Sequence, residues 1–288
     1  MSAALQARPA AAPPFAIRPL SSVLAAEIIG LDLHQPLEPA VRRGVLDAFL
    51  RHHVLCFRDQ HLSENEQIAF TAQFGTLERH VIRNRSSANP LLHIVSNLGV
   101  DGKPSGKVGS TTWHTDKSFR PEPSLATILH VVTLPPAGGD TCFANMIAAY
   151  EALEAAERAA LSGLRVIHSW ELSQQKSGLT ATAEEVADAP PMSHPLVRVL
   201  PETGEKALFM GQHASHIDGR PMAEGRERLA ALEAFATQDR FVYRHHWRAG
   251  DLLMWDNRCL LHRADPNFDA ARHPRVLHRT CLRGTAPA

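Results

Sequence analysis

The apolar residues of this chain come in short runs, and that spacing limits what it can fold into. Val54-Leu55-Cys56-Phe57 and residues 91–95, 125–132, 165–170, 241–247, 252–255 and 259–262 are rich in β-branched, aromatic or leucine side chains, with turn-forming residues between them. Runs of this length read as strands. Pro135-Pro136-Ala137-Gly138-Gly139 closes one of them, and residues 194–200 and 207–210 read as a hairpin around Glu202-Thr203-Gly204. Residues 15–33 suggest an opening strand or hairpin, and 275–282 a closing strand.

Helical periodicity interrupts this pattern in a few places. Residues 38–53 carry Val41, Val45, Leu46, Phe49 and Leu50 on one stripe. Residues 63–74 open on a capping box, Ser63 with Glu66 three positions later, ahead of Ile68, Phe70 and Phe74, and Gly75 stops them. Further helices are expected over 147–164 and 223–237, while 101–112 reads as a mobile loop and 171–193 as a loop or lid. Many short strands decorated by a few helices predict a mainly β fold, a jelly roll or double-stranded β-helix with flanking helices.

With 288 residues, 44% of them hydrophobic, the chain has enough apolar material for one large core. Nothing marks an internal linker, so 15–288 is expected to be a single domain behind an Ala- and Pro-rich disordered leader at 1–14. Lys plus Arg equals Asp plus Glu at 30 each, which argues against nucleic acid as a partner. Cys56, Cys142, Cys259 and Cys281 are scattered without a C-x-x-C pair, as expected of free thiols in a reducing compartment. No signal-like start and no apolar stretch of roughly 18 residues is present, so the expected location is the cytoplasm, away from membranes. A homo-oligomer is compatible with all of this.

The chemistry concentrates at Trp113-His114-Thr115-Asp116. Side chains two apart fall on one face of an extended strand, so His114 and Asp116 point together. With His262 they would make two imidazoles and one carboxylate on one face of a metal, an arrangement that suits non-haem Fe(II). H-x-D alone is common, and a zinc hydrolase could use the same three ligands. Arg275 and Arg279, four apart in a strand-like segment, would share a face. One guanidinium could grip a keto acid and the other an anionic substrate. The alternative is a charged edge strand.

Several longer segments then resemble one family. Trp113 to Asp116, the Gly138-Gly139-Asp140-Thr141 turn and the run from Gly250 through Trp255-Asp256-Asn257-Arg258 to His262-Arg263 look like the Fe(II)- and 2-oxoglutarate-dependent taurine dioxygenase family. Gly211 to His216 and Phe241 to Trp247 look closer to its 2,4-dichlorophenoxyacetate and phenoxypropionate dioxygenase branch. The resemblance implies iron at His114, Asp116 and His262. It implies 2-oxoglutarate at Thr141 and Arg275, and the acidic group of a small organic substrate at Arg279. His80 and His216 are further candidates for the substrate, as is His213. Where taurine dioxygenases hold the amine of their substrate, this chain has Arg83 and Ser110. The expected reaction is therefore hydroxylation of an organic acid, an aryloxyalkanoate in the first place. 2-Oxoglutarate and O2 would be consumed and succinate released. The alternative is a taurine, alkylsulfonate or alkylsulfate dioxygenase, because an arginine does not by itself tell a carboxylate from a sulfonate.

Overall fold

The computed structural model of the protein describes residues 15–79, 89–176 and 178–287. The expected leader at 1–14 and His80 lie outside the described residues. The first half contains β1 (Ala16–Pro19), β2 (Ala26–Ile29), α1 (Pro39–His52), β3 (Val54–Phe57), α2 (Glu64–Ala72), β4 (His93–Ser96), β5 (Ser124–Thr133) and β6 (Thr141–Asn145). The middle contains α3 (Met146–Glu151), α4 (Ala155–Leu161), β7 (Arg165–His168), α5 (Trp170–Lys176), α6 (Ala183–Asp188), β8 (Met192–Pro195), β9 (Val197–Val199), β10 (Lys206–Leu208) and β11 (Ala214–Ile217). After α7 (Met222–Ala236) come β12 (Val242–His245), β13 (Leu252–Asp256), β14 (Leu260–Ala264) and β15 (Val276–Arg283).

A seven-stranded sheet runs β1-β2-β3-β13-β5-β15-β4, and a three-stranded sheet runs β12-β6-β14. Two smaller sheets, β11-β7-β8 and β10-β9, lie beside them. Period-two alternation sorts the side chains of the large sheet. Leu252 and Met254 join Leu55, Phe57, Ala126 and Ile128 in a cluster with Val45 and Phe49 of α1 and Phe70 of α2. Leu253 and Trp255 face the other way, among Val54, Cys56, Leu129 and Leu277 and, from the small sheet, Phe143, Leu260 and Leu261. Burial on both faces is why β3 and β13 appear in the sequence as unbroken apolar runs.

The capping box of α2 forms as expected. The Glu66 amide donates to Ser63 Oγ at 3.3 Å, and the Ser63 amide donates to Glu66 Oε2 at 2.7 Å. The helix is fixed to the sheet by Phe70, edge-on to Phe57 at 5.6 Å, and by Gln67 Nε2, which donates to the His278 carbonyl at 3.0 Å.

The middle of the chain differs from expectation. The single helix expected over 147–164 is two, α3 and α4, separated by a tight turn in which the Leu153 amide bonds the Tyr150 carbonyl. Residues 171–193, expected as a loop, contain most of α5 and all of α6. Neither is long enough to display a stripe, and α6 buries no residue. Its one local signal is a second capping box, Thr182 with Glu185. β11 is a strand that local pattern did not suggest. It pairs with β7 through an irregular register between Ala214 and His216. Among the described residues no helix is long and apolar enough to cross a membrane. All four cysteines are buried and free.

The packing of α2 generates a graded expectation. Phe70→Ala empties a fully enclosed site and is expected to cost about 3 kcal/mol. Ser63→Ala removes only a cap and is expected to cost about 1 kcal/mol. Urea denaturation of the two variants would measure both losses, and equal losses would contradict this account of how α2 is held.

Candidate metal centre

His114 and His262 are brought together by the backbone. The His114 amide donates to the His262 carbonyl at 3.0 Å and the His262 amide donates to the His114 carbonyl at 2.8 Å. Residues paired this way across an antiparallel bridge carry their side chains on the same side, and the two imidazole rings stand 4.2 Å apart. Asp116, two residues on, comes to the same side. One candidate ligand atom from each of His114, Asp116 and His262 lies within 4.8 Å of the others, and all three residues are buried. The close approach of a neighbouring segment requires glycine: a Cβ on Gly211, whose φ is +110°, would sit 3.0 Å from the Trp113 carbonyl oxygen and 3.2 Å from His114 Cα.

The hydrogen bonds around the three residues set their chemical states. His114 Nδ1 donates to the Thr112 carbonyl at 2.8 Å, which leaves Nε2 as the free lone pair. Asp116 Oδ2 accepts from Thr127 Oγ1 at 2.6 Å, and Oδ1 accepts from Arg279 Nη1 at 3.2 Å. Burial alone would raise the pKa of Asp116, but Arg279 and the two imidazoles outweigh it and hold the carboxyl below the usual range. Burial pushes both imidazoles down, His262 well below its ordinary value. At neutral pH the trio offers one carboxylate and two neutral imidazoles, the ligand states that a divalent cation requires.

Two other groups bring His, Cys and Asp atoms comparably close, His53 with Asp256 and Cys259, and Cys56 with His245 and Asp251. In both, key atoms are already engaged. Asp256 takes three hydrogen bonds from Arg258, two of them on Oδ1, and both ring nitrogens of His245 are hydrogen-bonded, whereas each oxygen of Asp116 accepts a single bond and keeps a lone pair. Among the described residues the His114 group is the one that fits a metal ion.

Thr141 lies on the same face as His262. In the β6–β14 register His262 faces Phe143 and Ala264 faces Thr141, so Thr141 is two residues, or about 7 Å, along the strand from the position opposite His262. Arg275 sits just before β15 and is only 5% exposed. Its amide donates to Asn97 Oδ1 at 2.7 Å, Nε to the Gly139 carbonyl at 2.8 Å and Nη2 to Thr141 Oγ1 at 3.4 Å. No carboxylate among the described residues forms an ion pair with it, and burial pushes its pKa down to about 10. Gly139, at φ +71°, gives it room, since a Cβ there would lie 3.1 Å from Arg275 Cδ.

The remaining expected site residues divide. Arg279 reaches the centre through Asp116, and its Nε is buried without a hydrogen-bond partner among the described residues. His216 is on β11, with Nδ1 on Ser215 Oγ at 3.0 Å and its Cβ against the first turn of α7 near Gly225. His213 is buried, its Nδ1 sharing a hydrogen at 3.2 Å with Ser118 Oγ, and burial lowers its pKa to about 3. Three residues to which the sequence assigned no site role complete the centre. Thr127 holds Asp116, Asn257 Nδ2 donates to Thr127 Oγ1 at 2.9 Å, and Trp247 Nε1 donates to Thr141 Oγ1 at 3.0 Å. Asn257 also receives Trp255 Nε1 at 3.0 Å, and its carbonyl receives Thr115 Oγ1 at 2.6 Å.

Both the sequence and the fold match known proteins. The family described as taurine catabolism dioxygenase TauD, TfdA family matches residues 16–281. An alpha-ketoglutarate-dependent 2,4-dichlorophenoxyacetate dioxygenase of Burkholderia sp. (strain RASC) is 41% identical over 276 residues, covering 91% of this chain and 93% of that protein. An (S)-phenoxypropionate/alpha-ketoglutarate-dioxygenase of Delftia acidovorans is 36% identical over 280 residues, covering 93% and 94%. The crystal structure of AAD-2 in complex with Mn(II) and N-oxalylglycine matches with a TM-score of 0.86 and 38% identity, over 95% of this chain and 98% of that one. The chain is therefore a member of the TauD, TfdA family of alpha-ketoglutarate-dependent dioxygenases.

Proposed function

We propose that the protein is an Fe(II)- and 2-oxoglutarate-dependent dioxygenase that hydroxylates an aryloxyalkanoate at the carbon beside its ether oxygen. The product is a hemiacetal that breaks into a phenol and an oxo acid, while 2-oxoglutarate and O2 become succinate and carbon dioxide. Bound iron supplies the redox chemistry that couples that decarboxylation to insertion of one oxygen atom into a C–H bond. The residues that would hold it are His114, Asp116 and His262.

The observation that carries this reading is Arg275, a buried guanidinium with no carboxylate partner, set beside the Thr141 hydroxyl on the His262 face. A buried cation of this kind is complementary to a small dianion, and 2-oxoglutarate would place its distal carboxylate there. Arg279 is the anchor for the acidic group of the substrate, with Asp116 holding one of its nitrogens in place. Phe119, Trp170 and His213 form a ring cluster near Asp116, with centroids 4.9 Å apart for Phe119 with each of the others. An aryl group is well matched to such a wall. The large and small sheets are the two halves of a jelly roll, and residues 15–288 form one dioxygenase unit. The single family match over 16–281 supports that reading.

The ligand and anion roles separate by experiment. Asp116→Ala is expected to weaken Mn(II) binding at least about 100-fold, as measured calorimetrically, and to abolish succinate release. Unchanged Mn(II) affinity would remove the metal assignment. Arg275→Gln is expected to raise the KM for 2-oxoglutarate about 30-fold or more, and Arg279→Gln to raise the KM for the aryloxy acid by a similar factor, from about 2 kcal/mol or more for a truncated buried charge pair. Succinate release over a panel of aryloxyacetates, phenoxypropionates, alkylsulfonates and alkylsulfates identifies the substrate class. Stimulation by sulfonates or sulfates alone would overturn the aryloxyalkanoate reading.

A further inference from the structure

We propose that the buried chain Tyr243–His245–Asp251, anchored by Arg58, is a positioning device for co-substrate binding. It holds Trp247 so that the Thr141 hydroxyl keeps its proton free for an oxygen of 2-oxoglutarate. This rests on the reading of Thr141 given above.

A threonine hydroxyl has one proton and two acceptor lone pairs. Thr141 Oγ1 accepts from Trp247 Nε1 at 3.0 Å and from Arg275 Nη2 at 3.4 Å. An indole N–H and a guanidinium can only donate, so both lone pairs are occupied and the proton of Thr141 is the part left for a ligand. Without Trp247 the hydroxyl could rotate and present a lone pair, which repels a carboxylate or keto oxygen.

Trp247 is held by its neighbours and not by its own strand. It lies beyond the end of β12, outside the ladder, so strand pairing does not orient it. His245 does. In the β12–β6 register His245 faces Thr141, and the imidazole meets the indole edge to face at 4.7 Å and 85°. The imidazole is fully buried and pinned at both nitrogens, Nε2 at 3.0 Å from Asp251 Oδ2 and Nδ1 at 2.9 Å from the Tyr243 hydroxyl. Asp251 Oδ2 also accepts from Arg58 Nη1 and from the Arg248 amide at 2.8 Å. A carboxylate so placed accepts a hydrogen bond from Nε2–H, which leaves Nδ1 as the acceptor and the Tyr243 hydroxyl as its donor. Turning the ring over would break both bonds in a site without water access. Cys56 lies beside this pair, yet His245 has no free nitrogen for a metal, so the group is a hydrogen-bond network.

The test is anaerobic calorimetric titration of 2-oxoglutarate into Mn(II)-loaded full-length protein, with Mn(II) affinity measured separately as the check on folding. Trp247→Phe, His245→Leu and the milder Tyr243→Phe are each expected to weaken 2-oxoglutarate by about 2–10-fold, the range of one hydrogen bond, with Mn(II) affinity within about twofold of wild type. Thr141→Val is expected to weaken it at least as much. In the Thr141→Val background, Trp247→Phe should then add less than about twofold, because the two act through one bond. Should Thr141→Val weaken 2-oxoglutarate while Trp247→Phe leaves it unchanged, or should the two effects multiply in full, the positioning role is overturned and the reading of Thr141 stands. Unchanged affinity in Thr141→Val overturns both. If His245→Leu does not fold, Trp247→Phe and Tyr243→Phe still decide between these outcomes.

Discussion

The pair of backbone hydrogen bonds between His114 and His262 is the constraint on which the centre depends. It makes ligand geometry a property of strand pairing. Two imidazoles stand side by side because their residues exchange both amide–carbonyl bonds, and Asp116, at the start of the turn that follows, brings its carboxylate to the same place. A one-residue slip would turn every ligand to the far side. Neighbouring features protect the register. Gly211 admits a passing segment against His114, and Thr115 ties the same stretch to the Asn257 carbonyl at 2.6 Å.

Charge is arranged on the same frame, and two buried arginines make the contrast clear. Arg258 is 3% exposed and fully answered, donating to both oxygens of Asp256 and both of Glu202. That is how a guanidinium is buried for structure. Arg275 is buried almost as deeply and receives only a carbonyl and a hydroxyl. Leaving a buried cation without a counter-charge costs stability unless a ligand supplies one. Arg279 is intermediate, paired with Asp116 through one nitrogen. Among the described residues Arg279 has an ion-pair partner in Asp116 and Arg275 has none, although the Asp140 carboxylate acts on Arg275 from farther away.

Much of this was legible in the sequence where the signal is local. The H-x-D spacing needs only period two, the α2 capping box only four residues, and the buried strands only their apolar runs. Cross-strand roles were not legible. Thr127 meets Asn257 across 130 positions and Trp247 meets Thr141 across 106, and a lone threonine, asparagine or tryptophan carries no local mark of such a partner. Arg275 was expected inside a strand, but the ladder of β15 begins at Val276 with an irregular step before Leu277. α5 and α6 escaped notice because seven and six residues cannot display a full helical stripe.

The division of labour between elements follows from where each residue is anchored. β6 is the middle strand of the small sheet, with Thr141 opposite His245 on one flank and opposite Ala264, two residues from His262, on the other. His262, Thr141 and the ring of His245 therefore ride on three paired strands, where a shift in one is a shift in all. The aromatic wall is built differently. Phe119 lies in the turn after Asp116, Trp170 opens α5, and His213 precedes β11, so each belongs to a segment outside the two principal sheets. Such segments can change without disturbing the ladder that sets the ligands. On that arrangement His262 and Thr141 belong to the rigid part of the molecule and the aromatic cluster to the adjustable part.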